Sequence, residues 1–266
     1  MGRSAPPTPF RTWIHCDLRE IGGLASEYQF EVLVQLAPLT LVPRTLDWFA
    51  ARGVRQIIAL GTTSRFSKQD SRSEAERKLA AAYADAERRT RERCRELDIR
   101  FLLIRPTMIY DGYRDANVRL IRGVVNRFGL FPVVRGRCGL RQPLHANDLA
   151  RLIGAGIGAA GLPAYLALNL GGGEVLAYDE LVGRVFEAMG KEPRMIRCPA
   201  VILRSAVRVL RLLPQFRKLD PALVDRMTQD LVFDDGQARE IFSFSPGSFR
   251  IEEPIESSCE GTCSAP

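Results

Sequence analysis

The sequence predicts an α/β protein: a largely parallel, doubly wound sheet with helices on both faces, and a small, mostly helical C-terminal lobe. Two observations predict it. Up to Leu170, apolar runs of strand length alternate with amphipathic stretches of helix length, the order that yields parallel strands joined by crossover helices. Beyond Leu170 the helical periodicity dominates.

Taken in order, Trp13-Ile14-His15-Cys16 and Glu31 to Leu36 read as short strands, and Arg44 to Arg52 as a helix that Gly53 ends. Val54 to Leu60 is a buried strand, broken by Gly61-Thr62-Thr63-Ser64. Ser73 followed by Glu76 makes a capping box that opens a long charged helix to about Leu97. Ile99 to Ile104 is the next strand, stopped at Arg105-Pro106. Asn117 to Phe128 and Asn147 to about Ala160 are helical, and Ala164 to Leu170 is a strand running into Gly171-Gly172-Gly173. In the lobe, Asp179 to Met189 is a helix ended by Gly190, and Pro199 to Leu213 one ended by Pro214. Asp220-Pro221 supplies an N-cap and a first-position proline for a helix to about Leu231. This divides the chain into a core over residues 12–170, a lobe interleaved with it over 171–250, and a disordered tail over 251–266.

Composition narrows the class. A chain of 266 residues with 46% apolar and 26% charged residues and a mean hydropathy of -0.08 excludes disorder, collagen and coiled coil. No run approaches the roughly 20 apolar residues of a membrane span. The best candidate, Ala200 to Pro214, is interrupted by Arg204, Arg208 and Arg211, so no membrane partner is expected. The first ten residues lack the apolar core of a secretory signal, which makes the cytoplasm the expected compartment. Six cysteines without metal-ligand spacing read as reduced thiols, and no metal site is expected. The net charge of +7 sits in two zones: residues 114–141 hold seven Arg against Asp115, and residues 193–218 hold six Arg and Lys218 with no acid. Such zones suit phosphate-bearing ligands or a solvated basic face; no nucleic-acid recognition motif accompanies them.

Three stretches, in order, carry a resemblance: ALGTTSRF (59–66), LIRPTMIYDG (103–112) and LRQPLHANDLA (140–150), with NLGGGE (169–174) after them. Together they resemble the extended short-chain dehydrogenase/reductase family, the NAD-dependent epimerases and dehydratases, over roughly residues 12–245. The resemblance implies a Rossmann-like fold. It also implies NAD or NADP as cofactor and, as partner, a small anionic substrate such as a nucleotide-linked or phosphorylated sugar; a homo-oligomer is compatible with it.

Carried over by position, Asp17-Leu18 resembles the adenine-contacting pair and Ala37-Pro38 the strand end over the adenosine ribose. Pro106 and Thr107 fall where the nicotinamide is lined. Thr62 occupies the place of the catalytic hydroxyl, with Thr63 and Ser64 as register alternatives. Arg141 and His145 fall in the segment that grips the substrate diphosphate. Plain alternatives stand beside these roles: a Thr-Thr-Ser turn bonding its own backbone, His145 as a core residue before a helix, and Asp148 as helix N-terminal electrostatics.

The chain departs from the family twice. No tyrosine is followed by a lysine four residues later; aligning Ala84-Asp85-Ala86-Glu87 on the family's helix puts Leu79 at the tyrosine place and Tyr83 at the lysine place, leaving Tyr83 as the candidate proton donor. The sequence also begins at what resembles the family's third strand, so the expected sheet lacks its first strands and their glycine-rich, pyrophosphate-approaching turn. Gly156, Gly158 and Gly161 spell GxGxxG, but after a helix and before a strand, the wrong order for cradling phosphate. The expected function is an epimerase/dehydratase-like oxidoreductase impaired in cofactor binding. The alternative is a non-catalytic relative that binds or interacts; a basic nucleic-acid binder rests on charge alone.

Overall fold

The computed structural model describes residues 16–23, 28–112, 115–212 and 220–251. Four parallel strands form the central sheet: β1 (Val32–Gln35), β2 (Gln56–Leu60), β3 (Arg100–Pro106) and a later strand, Tyr165–Leu170, side by side in that order. Between β1 and β2 runs α1 (Val42–Ala50), whose Pro43 stands in the first turn where its missing N–H is harmless. Gly53 then turns at φ +88°, a conformation open to glycine. Between β2 and β3 come α2 (Ser64–Ser67) and the long α3 (Glu74–Glu96).

After β3 the chain leaves the sheet. It forms β4 (Ile109–Tyr110), α4 (Ala116–Phe128), β5 (Phe131–Val134), β6 (Leu140–Arg141) and β7 (Leu144–His145), then returns through α5 (Ala146–Gly156) to β8 (Tyr165–Leu170). Asp115 caps α4 by accepting from the Asn117 and Val118 N–H groups, and Gly129 ends it at φ +70°. The rest builds the lobe with β9 (Leu176–Ala177), α6 (Tyr178–Glu187), β10 (Met195–Cys198), α7 (Ala200–Leu210), α8 (Ala222–Arg226) and α9 (Gly236–Phe242).

Burial on both faces explains why β2 and β3 read as continuous apolar runs. Ile57, Ala59, Phe101 and Leu103 face a cluster with Leu46 and Phe49 of α1 and Ala86 and Cys94 of α3. The alternating Ile58, Leu102 and Ile104 face Leu149, Leu152 and Ala238 on the other side. A third cluster, centred on Phe186, Val185, Ile121 and Val133, is the core of the lobe. The doubly wound reading therefore holds.

Several expectations are corrected. Ser73 precedes α3 as expected but forms no capping box: its hydroxyl donates to Asp220 at 2.7 Å, and Glu76 is drawn to Arg226, Lys68 and Ser71. Tertiary partners outcompeted the local cap. The helix after Asp220-Pro221 ends at Arg226, well short of Leu231. The C-terminal lobe is mostly helical as expected, and its one longer strand, β10, pairs in parallel with β5 from the earlier part of the chain. Of the strand expected at Trp13–Cys16, residues 13–15 lie outside the described residues, while Cys16 precedes a short 3-10 helix, Leu18–Gly23, and is in no strand. Among the described residues β1 pairs with β2 alone. The tail expectation falls outside the described residues from position 252 onward.

Candidate functional site

A cavity of about 370 Å³ opens beyond the carboxyl ends of β2 and β3, where ligands of open parallel sheets collect. Its sheet side is Gly61, Thr62, Thr63, Ser64, Pro106 and Thr107. Its lobe side brings Arg141, Tyr178 and Arg226, and Lys68 joins from the end of α2.

The turn after β2 is held by its own bonds. Ser64 N–H donates to Thr62 Oγ1 at 3.1 Å, while the buried Thr63 hydroxyl donates to the Pro106 carbonyl at 3.1 Å. Thr62 and Ser64 present their remaining hydroxyl capacity to the cavity, and Thr63 fixes the turn to β3. Below it, Glu87 of α3 is buried and accepts from Arg65 and from Nε and Nη2 of Arg105, the latter two at 3.0 and 2.7 Å. That bidentate pair locks the end of β3 to α3.

Arg141 is almost wholly buried, and its guanidinium donates to the Gln229 and Arg226 carbonyls at 2.8 and 2.6 Å while standing 5.0 Å over the Tyr178 ring. Carbonyls just past a helix C-terminus carry partial negative charge, so the cation suits them and ties β6 to α8. Burial lowers the Arg141 pKa and, chiefly by the same desolvation, those of Arg226 and Lys68. For Lys68 the nearby Arg226 adds to the lowering. Glu76 offsets part of this charge through its contacts with Arg226 and, at 3.5 Å, Lys68. The Tyr178 phenol, fully enclosed, is pushed up to about 12 by desolvation and stays neutral at ordinary pH. The cavity thus offers hydroxyls on one wall and surplus cationic charge on the other, an arrangement suited to a phosphate-bearing sugar-like molecule.

His145 is not brought to this cavity. It caps α5, its Nδ1 accepting from the Asn147 N–H at 3.1 Å, and packs edge-on against Tyr110 in a separate cleft with Asp148, Arg151 and Arg250. Asp148 is buried there, accepting from Gly247 N–H at 2.9 Å and pairing with Arg151. Tyr83 is not brought to it either: half-buried, it packs on the cluster between α1, α3 and the sheet, where desolvation raises its pKa.

Of the residues expected at the cofactor, Pro106 and Thr107 line the cavity. Leu18 is buried against that same cluster, and Asp17 is exposed and paired with Arg19, which holds its carboxyl down at about 2. Ala37 is half-buried and Pro38 exposed just after β1. Thr107 N–H donates to the Leu170 carbonyl at 2.9 Å and its hydroxyl to the Gln142 carbonyl.

The glycine runs are packing devices. A Cβ on Gly172 would stand 1.7 Å from the Pro143 carbonyl oxygen, and one on Gly173 2.2 Å from that of Pro246. In the GxGxxG stretch, buried Gln56 donates to the Gly156 carbonyl at 2.7 Å and accepts from Gly158 N–H at 3.1 Å, fastening the end of α5 below β2. Lys68 and Arg226 escaped the sequence reading because only the folded chain brings them together. Neither lies in the two basic zones of the sequence, and Arg226 stands among Asp220, Asp225 and Asp230, so no local signal marked them.

Fold and cavity together define the class: an α/β chain with a Rossmann-like parallel sheet and a cavity beyond the carboxyl ends of β2 and β3. Its architecture is similar to that of MoeE5 in complex with UDP-glucuronic acid and NAD, at a TM-score of 0.63 and 16% identity, covering 89% of this chain and 80% of that one. It is similar too to the UDP-N-acetylglucosamine 4-epimerase from Bacillus cereus, at 0.62 and 13% over 88% and 79% of the two chains. The Citrobacter sp. triphenylmethane reductase complexed with NADP(H) matches at 0.61 and 15%, over 86% and 78%. No family model and no curated relative matches the sequence; the likeness is one of fold.

Proposed function

We propose that this chain is an epimerase/dehydratase-like protein that retains the anionic-substrate half of the site and is impaired in the cofactor half. The observation that carries the reading is the cavity beyond β2 and β3, which Lys68, Arg141 and Arg226 line together with Thr62 and Ser64. Its ligand class is a nucleotide-linked or phosphorylated sugar, in keeping with the nucleotide sugars and NAD named for the similar structures. The cofactor implied by the resemblance is NAD or NADP, which would supply hydride chemistry when bound.

What the chain's own residues do is bind and orient. Thr62 and Ser64 meet sugar oxygens, Lys68 and Arg226 meet phosphate oxygens, and Arg141 holds α8 against the cavity while adding charge. Among the described residues no carboxylate or imidazole lines the cavity, and Tyr83 stands off it. That favours a second reading alongside the first, a binding protein with little or no turnover.

Among the described residues no glycine-rich turn joins a strand to a helix to meet the pyrophosphate. Each missing charge-assisted backbone bond is worth about 1.5–3 kcal/mol, and about 4 kcal/mol is a thousandfold in affinity. Calorimetric titration of the 266-residue protein tests both halves. UDP-glucose binds, and Lys68→Gln weakens it about tenfold, whereas NAD and NADP show no micromolar binding. Micromolar NAD binding overturns the impaired-cofactor reading, and failure to bind any nucleotide sugar overturns the substrate reading.

A further inference from the structure

Helix α7 presents its apolar residues outward. Leu203 and Val207 point into the lobe core, but Val201, Ile202, Val209 and the adjoining Leu212 are between 59 and 83% exposed. At 100° per residue these four fall within an arc of roughly 100° on the side away from the core. Ser205 and Ala206, also exposed, extend the same face without adding charge. Ile196 of β10 adds a further exposed aliphatic group in the preceding strand. Large apolar side chains concentrated on one outward face mark a contact surface.

The charge around this face indicates what it contacts. Arg204, Arg208 and Arg211 line one border of the arc; Arg204 is bound to Asp225 at 2.6 Å, whereas Arg208 and Arg211 are exposed and make no ion pair among the described residues. Arg194, also exposed, makes none either, and residues 193–218 contain no acid at all. A short helix with an apolar outer face and an unneutralised basic border matches a layer that is anionic at its surface and apolar just beneath.

We propose that α7 lies in the surface plane of an anionic lipid bilayer, with Val201, Ile202, Val209 and Leu212 among the acyl chains and Arg208 and Arg211 at the phosphates. Among the described residues no helix is long and apolar enough to cross a membrane, so the contact is peripheral. The expectation of no membrane partner rested on the missing span and does not reach a helix that lies flat. This proposal is independent of the cavity's ligand.

The test is flotation of the full chain with vesicles of equal parts phosphatidylglycerol and phosphatidylcholine, and with phosphatidylcholine alone. The protein floats with the anionic vesicles and not with the neutral ones. Ile202→Ser with Val209→Ser, which leaves every charge in place, lowers the bound fraction about tenfold, and so does Arg208→Gln with Arg211→Gln. Circular dichroism of both double variants matches the parent, since the four positions are exposed. Absence of flotation, or flotation indifferent to the serine pair, overturns the proposal. So does loss of folding in the serine pair, which would mean the face is covered within the chain. Lipid-free dimerisation abolished by the same pair overturns it in favour of a second copy.

Discussion

Glu87 shows how much one buried charge organises. It is almost fully enclosed, and its two oxygens are shared between Arg65 on α2 and Arg105 on β3, so the turn carrying Thr62 is framed by a single carboxylate. Replacing it with alanine strands two guanidinium groups in a poorly solvated place, which costs about 3–5 kcal/mol. Urea unfolding of Glu87→Ala therefore shows a loss of that size, and a loss under about 1 kcal/mol would mean the arginines find other partners. Lys68 makes a different prediction. Its lowered pKa means that it sheds its proton at a lower pH than an ordinary lysine, so binding of an anion in the cavity weakens as pH rises, beginning below the usual lysine range. Lys68→Arg removes that dependence, because arginine stays charged; a pH profile identical in the parent and the arginine variant would separate Lys68 from the ligand.

At the scale of elements, the strands were the most legible part of the sequence. β2, β3 and β8 are apolar runs with clear stops, since both faces of the sheet are buried and the chain must turn where Gly61, Pro106 and Gly171 stand. The beginning of α3 was legible but its cap was not, because Ser73 and Glu76 bond to residues near position 220 that the sequence does not place beside them. Arg141 and His145 lie four positions apart, yet the β6–β7 turn sends them to different clefts, which spacing alone does not reveal. Two element-scale outcomes follow. Gly172→Ala forces a methyl into the Pro143 carbonyl, a backbone atom that cannot step aside, so the variant fails to accumulate as folded protein; a normal melting curve would show that the turn is loose. Cys94, buried on the inner face of α3, has its thiol pushed up to about 12 by desolvation. Since the thiolate is the reactive form and is only about one part in ten thousand at pH 8, a variant retaining Cys94 alone resists alkylation until denatured. Prompt labelling at that pH would show that α3 opens from the sheet.

At the scale of the whole molecule, sheet and lobe together line the cavity over β2 and β3, and the proposed function fills it with an anionic ligand. Residues from several separated parts of the chain converge there, among them the three stretches Thr62 to Lys68, Pro106 to Ile109 and Leu223 to Phe233. A ligand that bridges them reduces local opening in all three at once, because it binds only the assembled arrangement. Hydrogen exchange with and without saturating UDP-glucose measures this directly. The account predicts added protection in segments 61–68, 106–109 and 223–233, with segments 145–151 and 247–250 around His145 unchanged. Protection confined to the His145 cleft, or no change anywhere at saturation, would contradict it.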